Sequence, residues 1–215
     1  EHNYLCKEFP EFKNKIKKTG NSRVDILKDK FNGILDPEAK KIKEEFGEFT
    51  LFLGNFGYTN ISFFKEGQTA SQVNIEQGII KKGSEDHNWV LGTEKISKDV
   101  FSILPEFFNE FSKNFPNKKL IIRPHPSEKL DSYLEMIKEL KNVHLGQDSK
   151  NTLSWIKASD SMISSNCTTS VEAYLLNKIS INLFTSLNQE EQEFYLPSKV
   201  SINAKSIEET IRIKK

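Results

Sequence analysis

Written as apolar and polar positions, the chain changes character near residue 36. Beyond that point, short continuous apolar runs alternate with stretches whose apolar residues recur every three or four positions. These are the patterns of buried strands and of amphipathic helices. Strands are predicted at Thr50-Leu51-Phe52-Leu53, 119–123, 142–145, 160–164, 179–184 and 199–203. Helices are predicted from Asp36-Pro37-Glu38 to Gly47, over 128–141, 151–158, 169–177 and 188–194, and at the end of the chain. Asp36 is placed to cap the first of these, Pro37 suits a first turn, and Gly47 stops it. The long stretch to about residue 115 is mostly polar. Within it, Val100, Phe101, Leu104, Phe107, Phe108 and Phe111 repeat at helical spacing and predict a core-facing helix.

Strand alternating with helix implies crossovers of one hand and a parallel sheet. Runs such as Ile179-Ser180-Ile181-Asn182-Leu183-Phe184 suit strands buried on both faces. The expected fold is α/β, a Rossmann-like parallel sheet with helices on both faces, spanning 36–215. Residues 1–35 do not share the alternation and are expected to be a crossover from a domain missing on the N-terminal side.

Chemistry concentrates where strands end, which is where open α/β sheets bind ligands. The run Lys119-Leu120-Ile121-Ile122 stops on Arg123-Pro124-His125-Pro126. Each proline removes a backbone donor and biases its predecessor toward extended geometry, so the ladder ends here with His125 in a stiff turn. His125 is suited to donate to a phosphate or a leaving oxygen, and Arg123 to pair with a phosphate. The plain alternative is a proline-rich strand exit with a solvated histidine and arginine. A second strand runs into Ser164-Ser165-Asn166-Cys167-Thr168-Thr169-Ser170-Val171-Glu172. Thr169 and Glu172 have the spacing of a capping box, which explains them structurally. The same helix start presents N–H groups to an anion, with Ser164, Ser165, Thr168, Thr169 and Ser170 as hydroxyl donors and Glu172 as an acceptor for ribose hydroxyls. Gly54-Asn55-Phe56-Gly57 follows the first strand; Gly54, Asn55 and Gly57 form either a tight turn or a close approach to ligand. His87 reads as surface, His144 as structural and His2 as terminal.

Composition narrows the classes. Lys+Arg 31 against Asp+Glu 30 offers no bulk attraction to nucleic acid or an anionic membrane. No apolar run reaches the roughly 20 residues of a membrane span. The two cysteines, Cys6 and Cys167, lack metal spacing and imply no disulfide framework, so a cytoplasmic setting is expected, free or peripheral at the inner membrane face. Without a G-x-G-x-x-G, a Walker motif, an H-E-x-x-H or a Cys/His cluster, neither a cofactor nor a metal is expected.

Three segments in order carry a resemblance. Thr19-Gly20-Asn21-Ser22-Arg23-Val24-Asp25 resembles the "TGN…D" crossover segment of UDP-N-acetylglucosamine 2-epimerases and related GT-B proteins. Arg123-Pro124-His125-Pro126 resembles the His-Pro strand end of GT-B enzymes, including CMP-sugar transferases of capsule synthesis. Val143-His144-Leu145, Leu153-Ser154-Trp155-Ile156 and Ser161 through Ala173 resemble the donor-nucleotide region of the same fold. Where the epimerases carry Asp-Ser-Gly-Gly, this chain has Ser165-Asn166-Cys167-Thr168-Thr169-Ser170, closer to the Ser/Thr-rich pattern of the transferases. The resemblance implies the C-terminal half of a GT-B glycosyltransferase of bacterial surface polysaccharide, with a nucleotide sugar (CMP-sugar favoured) and a glycan acceptor as partners. On it, His125 and Arg123 stabilise the leaving phosphate, Glu172 holds the ribose, and the acceptor site and catalytic carboxylate come from the N-terminal domain. An epimerase-like enzyme and a noncatalytic nucleotide- or glycan-binding module are the alternatives.

Overall fold

The computed structural model describes residues 2–65, 67–146, 151–183 and 195–214. Its centre is strand β1 (Phe49–Leu53), an uninterrupted apolar and β-branched run in which every residue is buried. On one side β1 pairs in parallel with β2 (Lys119–Arg123), which pairs with β3 (Val143–Leu145). On the other it pairs with β4 (Ser161–Ser164), followed by β5 (Ile179–Leu183) and β6 (Ile202–Ala204), all parallel. The order β3-β2-β1-β4-β5-β6 is that of a doubly wound Rossmann-like sheet. Succession runs outward from β1 to β3, then restarts at β4 on the opposite side, so the strand order reverses between β1 and β4.

The pleat sends alternate residues to opposite faces. One face takes Phe52, Leu120, Ile122, Ile163 and Ile181 into a cluster with Val100, Leu104, Phe107, Phe108, Phe111, Tyr133, Ile207 and Ile211. Those partners lie on α5 (Glu85–Ser102), α6 (Leu104–Asn114), α7 (Leu130–Ile137) and α11 (Ile207–Lys214). The opposite face takes Phe49, Leu51, Leu53, Ile121 and Met162, packed with Ala39, Ile42, Leu153, Trp155, Ile156 and Ala173. These come from α3 (Asp36–Phe46), α8 (Thr152–Ala158) and α9 (Thr169–Leu175). The remaining helices are α1 (His2–Glu8), α2 (Ser22–Asp25), α4 (Ala70–Glu76) and α10 (Tyr195–Val200). Leu27 and Leu35, from the segment ahead of α3, are buried in the second cluster, so that stretch lies against α3 and α8.

Several local expectations change. Asp36 is not a cap: a 3₁₀ turn over Asn32–Leu35 runs directly into α3, Leu35 takes the cap position, and the Asp36 carboxylate instead pairs with Lys157 Nζ at 2.5 Å. Gly47, at φ +72°, ends the helix in a conformation that favours glycine. The helix expected over 128–141 is confined to Leu130–Ile137. Residues 199 and 200, expected to begin the last strand, belong to α10, and β6 starts at Ile202. The helix expected over 188–194, and Phe184 at the end of its strand, lie outside the described residues.

Candidate functional site

Leu53 has Arg123 beside it in β2 and Ser164 beside it in β4. With neighbouring strands about 4.8 Å apart, the two polar strand ends stand roughly 10 Å from one another on the same edge of the sheet. A single ligand carrying a pyrophosphate spans that distance. The loops after β1 and β4 flank the point where strand order reverses, and Asn55 Nδ2 donates across it to the Ser165 carbonyl at 3.5 Å. A cavity of about 110 Å³ opens there toward α5, with Asn55, Tyr58, Thr93, Ser97, Ser165 and Asn166 in its lining.

At the β2 exit, the Arg123 guanidinium lies over the buried Trp155 ring at 5.1 Å. Gly146 makes room for that stack. A Cβ there would come within 2.9 Å of both Trp155 and Ile121 and 3.2 Å of Arg123. His125 is exposed, and its Nδ1 is taken by Ser127, whose backbone N–H donates at 3.2 Å and whose Oγ sits at 2.7 Å. A backbone N–H can only donate, so in this arrangement Nδ1 accepts and Nε2 carries the proton. The exposed nitrogen is therefore a donor.

Behind His125 stands a residue that sequence reasoning missed. Glu128 is 3% exposed. Its Oε1 accepts from the backbone N–H of Phe56 at 2.9 Å and of His125 at 3.2 Å, and its Oε2 accepts from the Tyr133 hydroxyl. Burial pushes the Glu128 carboxyl above its ordinary value, against the opposing pull of those three bonds. Burial and the neighbouring carboxylate also keep the Tyr133 hydroxyl protonated, far above its usual range. Glu128 thus clasps the β1 loop to the β2 loop. Gly54 serves that clasp: a Cβ on it would fall 2.8 Å from Tyr133 Oη, 2.9 Å from Glu128 Oε2 and 3.0 Å from Pro124 Cα. At Gly57 the same atom would meet only Ser127 Oγ at an ordinary 3.6 Å.

At the β4 exit, Ser164 is fully buried and its Oγ lies 3.3 Å from Ser170 Oγ, tying strand end to helix start. Ser165 is buried, Thr168 is exposed, and Thr169 Oγ1 donates to Cys167 Sγ at 3.0 Å. Burial raises the Cys167 thiol. Asn166 adopts φ +45°, a turn conformation asparagine tolerates, and its N–H donates to Asn182 Oδ1 at 2.6 Å. The expected capping box is absent. Thr168 is the cap residue, already in helical geometry and without a side-chain bond, so Thr169 and Glu172 fall one position too far along the helix. The Glu172 carboxylate instead accepts from Arg23 Nε at 2.5 Å. Its side chain is 12% exposed, and its second oxygen, Oε2, is buried without a hydrogen-bond partner. The true capping box joins Thr69 and Gln72, at the start of α4.

Arg123, His125, Asn55, Ser165, Thr168 and Glu172 are therefore brought to one edge, around the β2, β1 and β4 exits, while Gly54, Ser164 and Thr169 face inward contacts. Burial and Lys119 hold the His144 imidazole below its ordinary value. His87 Nδ1 accepts the Gly83 N–H at 3.1 Å within its own turn. Among the described residues no group of three or more His, Cys, Asp or Glu side chains is placed to hold a metal, and no helix is long and apolar enough to cross a membrane.

No protein-family model matches the sequence, and no curated protein is detectably similar to it. Among solved structures, UDP-GlcNAc 2-epimerase of Methanocaldococcus jannaschii, in complex with UDP-GlcNAc and UDP, is similar over 98% of this chain and 49% of its own, at 16% identity and a TM-score of 0.48. The β-Kdo 2,4 transferase of Thermosulfurimonas dismutans KpsC is similar over 86% of this chain and 54% of its own, at 14% identity and a TM-score of 0.41. For the β-Kdo 2,7 transferase of the same KpsC the figures are 87%, 54%, 13% and 0.38. This chain spans about half the length of each. Its own strand order and site define a parallel α/β, Rossmann-like domain with a polar crevice at the switch point.

Proposed function

We propose that this chain is the donor-nucleotide-binding half of a GT-B glycosyltransferase that builds bacterial surface polysaccharide, with a CMP-sugar as the favoured donor. The observation that carries this reading is Glu172: a carboxylate in the first turn of α9, after the β4 exit, one oxygen paired with Arg23 and the other buried with nothing to accept. A buried unpaired acceptor is costly unless a ligand donor meets it. Vicinal ribose hydroxyls are such donors. In this reading the nucleotide lies over α8 and α9, its ribose on Glu172 and its phosphates beside Ser165 and Thr168. The His125 Nε2–H and the Arg123 guanidinium then face the phosphate that takes up charge as the glycosidic bond breaks. Both are fixed before reaction, His125 by Ser127 and Glu128 and Arg123 by Trp155, as electrostatic stabilisation requires. The groups that activate the acceptor hydroxyl would come from outside this sheet.

Calorimetry with CMP, UDP, GDP and CDP tests it. One of the four should bind, CMP most tightly, and folded Glu172→Ala should bind it about tenfold or more weakly, the loss of a charge-assisted hydrogen bond. UDP preferred over CMP would turn the reading toward the epimerase-like alternative. Binding by none of the four would end it.

A further inference from the structure

Arg23 lies 149 residues from Glu172 in sequence, yet its Nε donates to Glu172 Oε1 at 2.5 Å. Its own position is built locally. Gly20 turns the chain at φ +80°, and the Asn21 side chain then caps the short helix α2 by accepting from the Arg23 backbone N–H at 3.0 Å. Leu27, just beyond, is buried against the sheet and anchors the segment. The Thr19-Gly20-Asn21-Ser22-Arg23 run thus delivers a guanidinium to a mostly buried carboxylate in the first turn of α9, just after the β4 exit.

We propose that Arg23 is a positioning residue that turns Glu172 toward the vicinal hydroxyls of a ribonucleotide and so sets the site's preference for ribose over deoxyribose; this rests on the nucleotide-binding reading above. Glu172 has one rotational degree of freedom that matters, the orientation of its carboxylate plane. Arg23 occupies Oε1, which leaves Oε2 as the oxygen that is buried without a hydrogen-bond partner. The Glu172 bond holds the Arg23 guanidinium above its ordinary value. A carboxylate oxygen held in place without a partner is an acceptor for hydroxyl donors. It offers nothing comparable to a sugar lacking the 2′-hydroxyl. Arg23 is largely exposed, so its replacement leaves the core intact.

The test is calorimetry of CMP against 2′-deoxy-CMP, with UDP against 2′-deoxy-UDP in parallel. The proteins are the wild type, Arg23→Gln, Arg23→Lys and Glu172→Gln, each checked for an unchanged melting transition. The wild type should prefer the ribonucleotide about tenfold, the worth of one charge-assisted bond. Arg23→Gln should lose most of that preference, as Glu172→Gln does, while its affinity for the deoxynucleotide stays near the wild-type value. Arg23→Lys should recover part of the preference. A folded Arg23→Gln protein with the wild-type preference overturns the proposal and leaves nucleotide binding standing. A wild type that binds ribo- and deoxyribonucleotides equally overturns it too, and binding of none overturns the functional reading with it.

Discussion

Glu128 sets the site's frame from behind, by joining a partner distant in sequence to one close by. Glu128 accepts from Phe56, 72 residues away, and from His125, three away. Its carboxyl sits above the ordinary value of 4.5 because of burial. The native state therefore binds this proton more tightly than the unfolded chain does. The stability it contributes is fully present below the ordinary value and is lost as pH rises through the raised native value. Glu128→Gln cannot titrate, yet it keeps an acceptor for the two N–H groups and a donor for Tyr133. Urea unfolding should show the wild type losing ground to Glu128→Gln as pH rises from about 4 to about 7. A difference constant across that range would mean that Glu128 is not the buried titrating group described. Glu128→Ala strands two backbone donors and should cost about 2–4 kcal/mol near neutrality.

Among the elements, α6 shows best how the core is assembled. Phe107, Phe108 and Phe111 are fully buried, and Phe108 meets the Phe52 ring edge-on at 5.3 Å. Phe108→Ala should cost about 3–5 kcal/mol in denaturant unfolding. Phe63→Ala, on a ring 72% exposed, should change stability by about 0.5 kcal/mol or less. A comparable loss from both would show that Phe108 is not packed against β1. The apolar period was legible in the sequence, but it runs across two helices rather than one: Val100 and Phe101 lie on α5, and Leu104 to Phe111 on α6, which Pro105 opens. The strands were legible as short runs rich in apolar and β-branched residues, although Ser180, Asn182 and Asn203 are polar positions inside them. What was not legible depends on partners no local window contains. Phe56 draws Glu128 out of the helix expected from residue 128, and Arg23 draws Glu172 away from the cap expected at Thr169. The hydroxyl-rich stretch from Ser164 to Ser170 marked the right place. It could not separate Thr168, which is exposed, from Ser164 and Ser170, which bond to each other inside. A glutamate three residues after His125 was the available signal for the clasp.

For the molecule as a whole, the strand exits bring a guanidinium, an imidazole and hydroxyl groups to one edge of the sheet, and on the nucleotide-binding reading these meet the donor's phosphate. CMP at saturating concentration should therefore raise the melting temperature equally in EDTA and in magnesium, by linkage to the folded state. A shift that disappears with EDTA would contradict this. The placement of β1 has a further effect, on how the chain comes into being. Of this sheet's six strands, the first to be synthesised is the one that ends at the centre, between β2 and β4. Once residues up to Gly146 have emerged, β1, β2 and β3 can join, but the far side of Phe49–Leu53 stays an open edge of unpaired N–H and C=O groups until β4 is made. Such an edge is a template for pairing with another nascent chain. Chains truncated before Ser161 should associate during synthesis, and those extended through Ser164 should not, because the arrival of four residues closes the sheet's most adhesive border.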